Sequence, residues 1–382
     1  MPHVQLPRVR ARALAFLVAV CAPALCLLAP VQSLATTTAA NWDAAQQHQV
    51  VAASLLGESG GSFAGAARLS AAQANAAMVA LAPTLQSVLD AHEEQTWPSG
   101  PPAEAQQAEG EAAAPSEPPT VEPTVPVAQT AQNPVTVVTF DEMLVEELGL
   151  ASVAAHVQAT TAAAGLRPPY YFGSEVVARF LELGYEHPVG SQRFDLFPTE
   201  AITRAQAAWS LSAAMKLSSW QISSARESLS AFALASMSAA QRRALQIAVS
   251  RIGYPYVWGG TTDNTADGLE HGGFDCSGFA WRVFKVSGLP WGREILGRTA
   301  AEQAGEIPRS QRLPVSQLQP GDLLFFGSAH FNSKATESNV IHEGIYLGDN
   351  WVIHSSGQGV YVLPLSGSWL GSSFAWGRRV IG

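Results

Sequence analysis

Apolar runs separated by turn residues predict a small β-sheet near the C-terminus. Residues 318–326 contain a turn at Pro320-Gly321 followed by an uninterrupted apolar run, which predicts a buried strand. Residues 340–347 predict a second strand, and residues 351–354 predict a third that returns from a turn at Gly348-Asp349-Asn350. The chain is therefore expected to end in antiparallel strands.

Two histidines lie on the second and third of these strands, and the length of the turn decides whether they share a face. A two-residue turn would pair Ile345 with His354 and send His342 to the opposite face. A three-residue turn pairs Gly344 with His354 and leaves His342 diagonal to it on the same face. We predict the three-residue turn.

Helical patterns occupy much of the region before the sheet. Residues 36–97 are rich in alanine and have apolar residues at helical spacing, and residues 136–235 predict a separate helical module. In that module Thr139 and Thr203 are each placed to cap the N-terminus of a helix. Residues 98–135 change to proline, glutamate, alanine and threonine, a composition that cannot bury a core and that predicts a disordered linker.

Residues 1–35 have the three parts of a secretory signal peptide. Arginines without any acidic residue precede an apolar run over residues 13–28, and Ser33-Leu34-Ala35 offers small residues for cleavage. An uncleaved membrane anchor is the alternative, but the run is shorter than the roughly 20 residues that span a bilayer and is interrupted by Pro23. The sequence therefore predicts an exported protein with no membrane segment after signal removal.

Charge and cysteine usage narrow the function classes. The formal net charge of −9 over 382 residues comes without a basic stripe, which argues against binding to nucleic acid. Cys21 and Cys26 would leave with the signal peptide, so Cys276 would be the single cysteine of the mature protein. An unpaired thiol outside the cell is a liability unless it has a use.

Cys276 lies in the segment Phe274-Asp275-Cys276-Ser277-Gly278-Phe279. Apolar residues at Phe279, Val283 and Phe284 predict a helix that begins near the cysteine. Unpaired backbone N–H groups and the positive end of the helix dipole would favour the thiolate, which is the nucleophilic form. A free cysteine taken alone is more often a small buried apolar residue, so the assignment depends on a base elsewhere in the chain.

Six segments in order resemble the NlpC-type peptidoglycan endopeptidase family over residues 240–382. They are PYVWGG from Pro255, FDCSGF from Phe274, RTAAEQ from Arg298, LQPGDLLFF from Leu318, HEGIYLGDN from His342 and IHSS from Ile353. The family has a papain-like α+β fold in which helices, one carrying the cysteine, pack on an antiparallel sheet carrying the histidines. The resemblance implies this fold class here, with the helical module and the linker preceding the domain.

The same resemblance implies roles for individual residues. Cys276 would be the nucleophile, His342 the base and His354 the residue that orients the base. Tyr256 would contribute a hydroxyl on the oxyanion side. The implied substrate-binding residues, with Asp275 and Ser277 contacting the free amino end of the stem peptide, are Asp275, Ser277 and Arg298.

Three departures from the family pattern affect the surroundings of this site. The loops over residues 261–273 and 327–339 are longer than usual, and we expect them to wall the substrate groove. Glu343 stands where the family has a small apolar residue. Because side chains alternate along a strand, its carboxylate should point away from the face that carries His342.

The helical module resembles an S-layer homology repeat in the turn at Phe197-Pro198 and in the helix that Ile202-Thr203-Arg204-Ala205 opens. It departs from that family in having Gln206 in place of a glutamate and in covering about one repeat. Two interpretations remain open. The module binds wall-linked secondary polymers, with Arg204 gripping an anionic sugar, or it is a spacer that packs against the next domain.

Two hypotheses of function follow. The first is a secreted, cell-wall-associated thiol hydrolase that cuts peptidoglycan stem peptides at the D-glutamyl–diamino acid bond and needs no cofactor. The second is a wall-anchored protein that binds muropeptides without cutting them. A zinc site made of Cys276, His342 and His354 is a further alternative, but the close ligand spacing of zinc sites is absent.

Overall fold

A computed structural model describes most of the chain outside its N-terminus and the proline-rich segment. The described residues are 42–58, 60–95, 132–185, 187, 191–263 and 272–381. The predicted signal peptide at 1–35 and nearly all of the predicted linker at 98–135 lie outside them. The domain boundaries drawn from the sequence remain predictions.

The first part of the described chain is helical. Its α-helices are α1 Ala44–Ala52, α2 Ala71–Gln95, α3 Val137–Glu147, α4 Ala151–Ala163, α5 Phe172–Phe180, α6 Arg204–Ala214, α7 Ser219–Ser230 and α8 Ala239–Val249. Helix α1 packs against α6, and α2 packs against α3 and α7. Backbone hydrogen bonds from Leu69 N–H to Ile202 O and from Val135 N–H to Leu69 O, both 3.0 Å, also join the chain on either side of the linker. Helices from both sides of the linker therefore share one packed region.

The N-cap residues of α3 and α6 can be compared with those predicted from the sequence. Thr203 caps α6 as predicted, and its side chain and that of Gln206 form a reciprocal capping box. The predicted cap at Thr139 is wrong, because α3 begins two residues earlier than that residue and Thr136 caps it by accepting from the Thr139 N–H. Both threonines belong to the same first turn, so the pattern located the turn but not its first residue.

Arg204 has a structural position that does not suit it to grip a polymer. Its side chain is buried, with the residue 5% exposed, and it packs over the ring of Phe63 with 4.7 Å between the guanidinium carbon and the ring centroid. The guanidinium donates to Phe63 O at 2.9 Å and to Gly57 O at 2.5 Å. Arg204 therefore ties α6 to the loop after α1, which favours the spacer interpretation, and binding to wall-linked polymers stays a hypothesis.

A buried ion pair connects the helical region to the C-terminal domain. Arg179, near the end of α5, donates to the Glu175 carboxylate at 2.7 Å, and both side chains are buried. The same guanidinium donates to Gly253 O at 3.0 Å and to Gln358 O, which belong to the C-terminal domain. Because a buried guanidinium must satisfy its N–H groups, this arrangement fixes α5 against the domain.

The C-terminal domain contains three more α-helices and two sheets. The helices are α9 Cys276–Trp281, α10 Ala300–Gly305 and α11 Trp369–Ser373, and the strands are β1 Thr261–Thr262, β2 Gly273–Phe274, β3 Leu323–Phe326, β4 His342–Gly348, β5 Trp351–Ser356, β6 Gly359–Pro364 and β7 Phe374–Arg378. Strands β3 to β7 form an antiparallel sheet in the order β6-β5-β4-β3-β7. The predicted α+β class, with helices packed on an antiparallel sheet, is confirmed.

The two faces of this sheet meet different layers. On one face Phe325, Ile345 and Ile353 join the main core, and α9 packs against β4 and β5. On the other face Phe326 and Val352 form a smaller apolar cluster with α11. The alternation of side chains along each strand therefore decides which residues meet the cysteine helix and which meet α11.

No helix within the described ranges is long and apolar enough to span a membrane.

Candidate active site

Cys276 is the first residue of α9. Asp275 caps this helix, because its carboxylate accepts from the Gly278 N–H at 2.5 Å. A Cβ atom added at Gly278 would lie 1.8 Å from Gly260 O, so glycine is required for the helix to approach the loop that precedes β1. The sequence FDCSG thus combines the cap, the candidate nucleophile and the close approach in one turn.

The surroundings of the thiol oppose its ionisation. The backbone N–H groups of Glu343 and Ser277 point at the sulfur and favour the thiolate, but burial and the carboxylates of Glu343 and Asp275 outweigh them. Together these effects raise the pKa of the Cys276 thiol to about 12. The expectation that the helix N-terminus would leave a ready thiolate is therefore wrong for the structure without substrate.

The two histidines lie together on the sheet face that carries α11. Gly344 pairs with His354, which confirms that the two histidines share a face. The predicted three-residue turn is wrong, because Gly348 pairs with Trp351 across a two-residue turn at Asp349-Asn350, both with positive φ angles, and a bulge between Tyr346 and Gly348 shifts the register by one residue. His342 Nε2 and His354 Nδ1 are 3.0 Å apart and share one proton. Burial lowers the pKa of His342 to about 3 and that of His354 well below its usual range, so both rings are neutral near pH 7.

The hydrogen bond between the two rings determines which nitrogen of His342 is available to act as a base. Since Nε2 is engaged with His354, Nδ1 is the nitrogen that remains for a thiol proton. The sulfur of Cys276 lies against the backbone N–H of Glu343, the residue that directly follows His342. Helix α9, which begins at Cys276, packs against β4 and β5, the strands that carry the two histidines.

Asp275, Ser277 and Arg298 form a second polar group beside the cysteine. Arg298 donates to both oxygens of Asp275, at 3.0 and 2.9 Å, and to Ser277 Oγ at 2.9 Å. The same carboxylate accepts from the Gly259 N–H at 3.0 Å, in addition to its cap on α9. A carboxylate offers about four acceptor positions, so Asp275 is fully occupied.

Tyr256 lies in the loop that precedes β1. It forms a parallel bridge with Phe274, which precedes the Asp275–Cys276 segment. Burial, with smaller contributions from Cys276 and Asp275, raises the pKa of its hydroxyl, which therefore stays protonated and able to donate.

Glu343 has surroundings that the sequence did not fully anticipate. Its side chain leaves β4 on the face opposite to His342, as predicted, but it is completely buried, and neither carboxyl oxygen has a hydrogen-bond partner among the described residues. Burial is the main cause of a strongly raised pKa, and the charged groups that also act on it are Asp275, Arg378, Arg298 and Glu306. Its burial was missed because a strand pattern gives the direction of a side chain and not what covers it.

Two aromatic residues that sequence reasoning missed complete the site. The ring of Trp369 lies 5.1 Å from His342 and 5.9 Å from His354, and the ring of Tyr361 lies 4.3 Å from His354, between ring centroids. No motif in the chain marked either residue. The ring of Phe326 also packs near His342, with 5.8 Å between the ring centroids.

The two long loops are described to different extents. Residues 264–271 of the first loop lie outside the described chain. The backbone of the second loop is held by Arg312, a residue outside the loop. Its guanidinium donates to Phe331 O at 2.5 Å and to Ser333 O at 2.8 Å. Their expected part in walling a substrate groove remains a prediction.

Among the described residues, no group of three or more His, Cys, Asp or Glu side chains is arranged to hold a metal ion.

Part of this chain is similar to known proteins. A probable endopeptidase of Mycobacterium tuberculosis is 34% identical over 128 residues, which are 32% of this chain and 26% of that protein. The gamma-D-glutamyl-L-lysine dipeptidyl-peptidase of Bacillus subtilis is 32% identical over 117 residues, 30% of this chain and 32% of the relative. A solved NlpC/P60 family protein from Bacillus cereus is 31% identical over 34% of this chain and 36% of its own, with a TM-score of 0.26.

The chain spans about a quarter to a third of the length of these curated relatives. Within it, residues 253–379 match the family model described as NlpC/P60 family. The C-terminal third of the chain is therefore an NlpC/P60 family domain.

Proposed function

We propose that this protein is a cysteine endopeptidase that cuts peptidoglycan stem peptides at the D-glutamyl–diamino acid bond. The observation that carries the proposal is that the Cys276 helix packs against the two strands that carry the hydrogen-bonded pair His342 and His354, inside an NlpC/P60 domain. The bond follows the name of the Bacillus subtilis relative, a gamma-D-glutamyl-L-lysine dipeptidyl-peptidase.

The reaction begins from a neutral thiol and a neutral imidazole. His342 Nδ1 takes the Cys276 proton as the sulfur attacks the amide carbonyl, so that charge forms only as the new bond does. His354 Nδ1 accepts from His342 Nε2 and holds the ring in the required tautomer. The Cys276 N–H and the Tyr256 hydroxyl donate to the oxyanion.

Collapse of the tetrahedral intermediate breaks the C–N bond, and the proton held by His342 passes to the leaving amine. The acyl group then remains on sulfur as a thioester. A water molecule gives a proton to His342 and attacks the thioester, and that proton returns to the thiolate as the acid product leaves. Protons and electrons balance without a cofactor.

Recognition of the amino end of the stem peptide falls to Asp275, Ser277 and Arg298. Because Asp275 is already fully occupied, a substrate ammonium group reaches it only by replacing a guanidinium N–H of Arg298. Binding would therefore release Arg298, which is about one-third exposed, toward a carboxylate of the substrate.

The protein acts, in this proposal, outside the cell at the wall. The signal-like residues 1–35 and the names of wall hydrolases among the relatives, such as the probable peptidoglycan endopeptidase LytE of Bacillus subtilis, support this location. The helical module serves as a spacer docked through Arg179, since Arg204 is buried. Binding to wall-linked polymers is the competing role for the module.

Peptide release from peptidoglycan tests the proposal. The full chain, incubated with purified peptidoglycan, should release stem-peptide fragments with a new amino end at the diamino acid, identified by mass spectrometry. Cys276→Ala should keep the fold, measured by circular dichroism, and release none. Muropeptide binding without release by the wild-type protein would support the binding-protein alternative, and turnover by the alanine variant would contradict the thiol mechanism.

A further inference from the structure

A groove of about 620 Å³ runs along the β6 edge of the sheet, between that strand and the helical region. One wall is formed by α7 and the end of α5, and the other by β6, the β4–β5 turn and the residues that lead into α11. We name it the β6 groove. Its volume is in the range of ligand pockets of roughly 300–1,000 Å³.

Trp369 makes the β6 groove continuous with the candidate active site. Its ring contacts both histidines and lines the groove, and the residue is 44% exposed. Tyr361, another residue of the groove wall, also contacts His354, with 4.3 Å between ring centroids. A ligand that occupies the groove therefore lies next to the reacting centre.

Trp220 provides a second aromatic surface from the opposite wall. It lies on α7, lines the β6 groove and is 72% exposed. Large exposed apolar side chains at the mouth of a groove commonly mark a binding surface. The face of an indole carries partial negative charge, which attracts the weakly positive C–H groups on the flat side of a sugar ring.

The polar groups of the β6 groove fit a neutral ligand better than an anionic one. Glu182 and Asp349 place carboxylates in its lining, and serines and amides supply neutral hydrogen-bonding groups. The one guanidinium in the lining, that of Arg179, is committed to Glu175, Gly253 O and Gln358 O. Stem peptides carry carboxylates that these acids would repel, whereas the sugar rings are uncharged where the lactyl carboxyl is joined to the peptide as an amide.

We propose that the β6 groove binds sugar rings of the glycan strand to which the stem peptide is attached, with Trp220 and Trp369 as stacking surfaces. The proposal rests on the peptidoglycan endopeptidase function. It makes the helical region part of substrate recognition, because Trp220 belongs to α7.

A binding experiment tests the groove without requiring hydrolysis. The full chain carrying Cys276→Ala is titrated by calorimetry with the disaccharide of N-acetylglucosamine and N-acetylmuramic acid, without peptide and with the lactyl carboxyl capped as a simple amide so that the probe is uncharged. We expect saturable binding that weakens about tenfold with Trp220→Ala, the loss typical of one aromatic contact, and that Trp220→Phe largely retains. Tyr170→Ala is the matched control, because Tyr170 is equally exposed on the helical region and does not line the β6 groove.

A kinetic experiment separates this proposal from the proposed function. With Cys276 intact, Trp220→Ala should lower kcat/KM about tenfold for a disaccharide-linked stem peptide and leave it unchanged for the same peptide without sugars. Equal losses on both substrates, or no disaccharide binding, would overturn the groove assignment. If the wild-type protein cuts neither substrate, the endopeptidase function fails, while the disaccharide titration still decides whether the groove binds sugar.

Discussion

The ionisation of Cys276 can be followed from its rate of alkylation, because only the thiolate reacts appreciably. In the structure, burial and the carboxylates of Glu343 and Asp275 raise the pKa of this thiol from 9.0 to about 12. Each pKa unit lowers the thiolate fraction tenfold below the pKa. The resting protein should therefore hold about a thousandfold less thiolate at pH 7 than an unperturbed cysteine, a cost of about 4 kcal/mol.

Glu343→Gln is the perturbation that separates the causes. It removes the second-largest contribution to the raised pKa and leaves burial, the largest, in place. At pH values where the buried Glu343 is ionised, its charge disfavours the thiolate, so replacing it with glutamine lowers the pKa of the thiol and makes Cys276 reactive at lower pH. Charges at short range shift a pKa by about one unit or more, which corresponds to about tenfold more thiolate at a given pH.

The assay measures the second-order rate of iodoacetamide alkylation between pH 6 and pH 11. Peptide mapping by mass spectrometry follows the peptide that contains Cys276, so other cysteines of the full chain do not interfere. We expect a wild-type rate that still rises beyond pH 9 and a Glu343→Gln profile displaced to lower pH. Glu302→Gln is the matched control, since Glu302 is exposed on α10 and glutamine preserves its capping box.

A wild-type rate that levels off near neutral pH would refute this reasoning, because it would show that the helix N-terminus and His342 overcome burial. An unchanged profile in Glu343→Gln would remove the carboxylate from the explanation and leave burial alone.

Three further predictions follow from the same contacts. Arg179→Met should lower the free energy of unfolding by about 3–5 kcal/mol in urea denaturation, because it leaves Glu175 buried without its partner, whereas Arg309→Met, at an exposed position, should change it by less than about 0.5 kcal/mol. Hydrolysis of peptidoglycan should persist in EDTA at its original rate; loss on chelation and recovery with zinc would favour the metal alternative. Walls stripped of secondary polymers should sediment the full chain as well as untreated walls do, since the Arg204 guanidinium is buried and bonded, and a loss of sedimentation that Arg204→Ala reproduces would support polymer binding.

Local sequence determined the elements of the site. The apolar face after Cys276 located its helix, because helical spacing acts over one or two turns, and the structure adds the cap at Asp275 where that helix begins. A two-residue turn at Asp349-Asn350 and a bulge between Tyr346 and Gly348 together set the strand pairing that places His342 beside His354. These features need only neighbours along the chain or across one hairpin.

The tertiary structure decided the chemistry of those residues. The thiol pKa rises because β4 brings the buried carboxyl of Glu343 against α9, a contact between segments far apart in sequence. Arg204 has the sequence context of a ligand-gripping residue and is instead covered by the loop after α1. Trp220 and Trp369 acquire a shared groove only when α7 packs near β6. The burial of a side chain and the charges near it depend on which distant segments pack over it. The periodicity of apolar residues along the chain does not identify those segments.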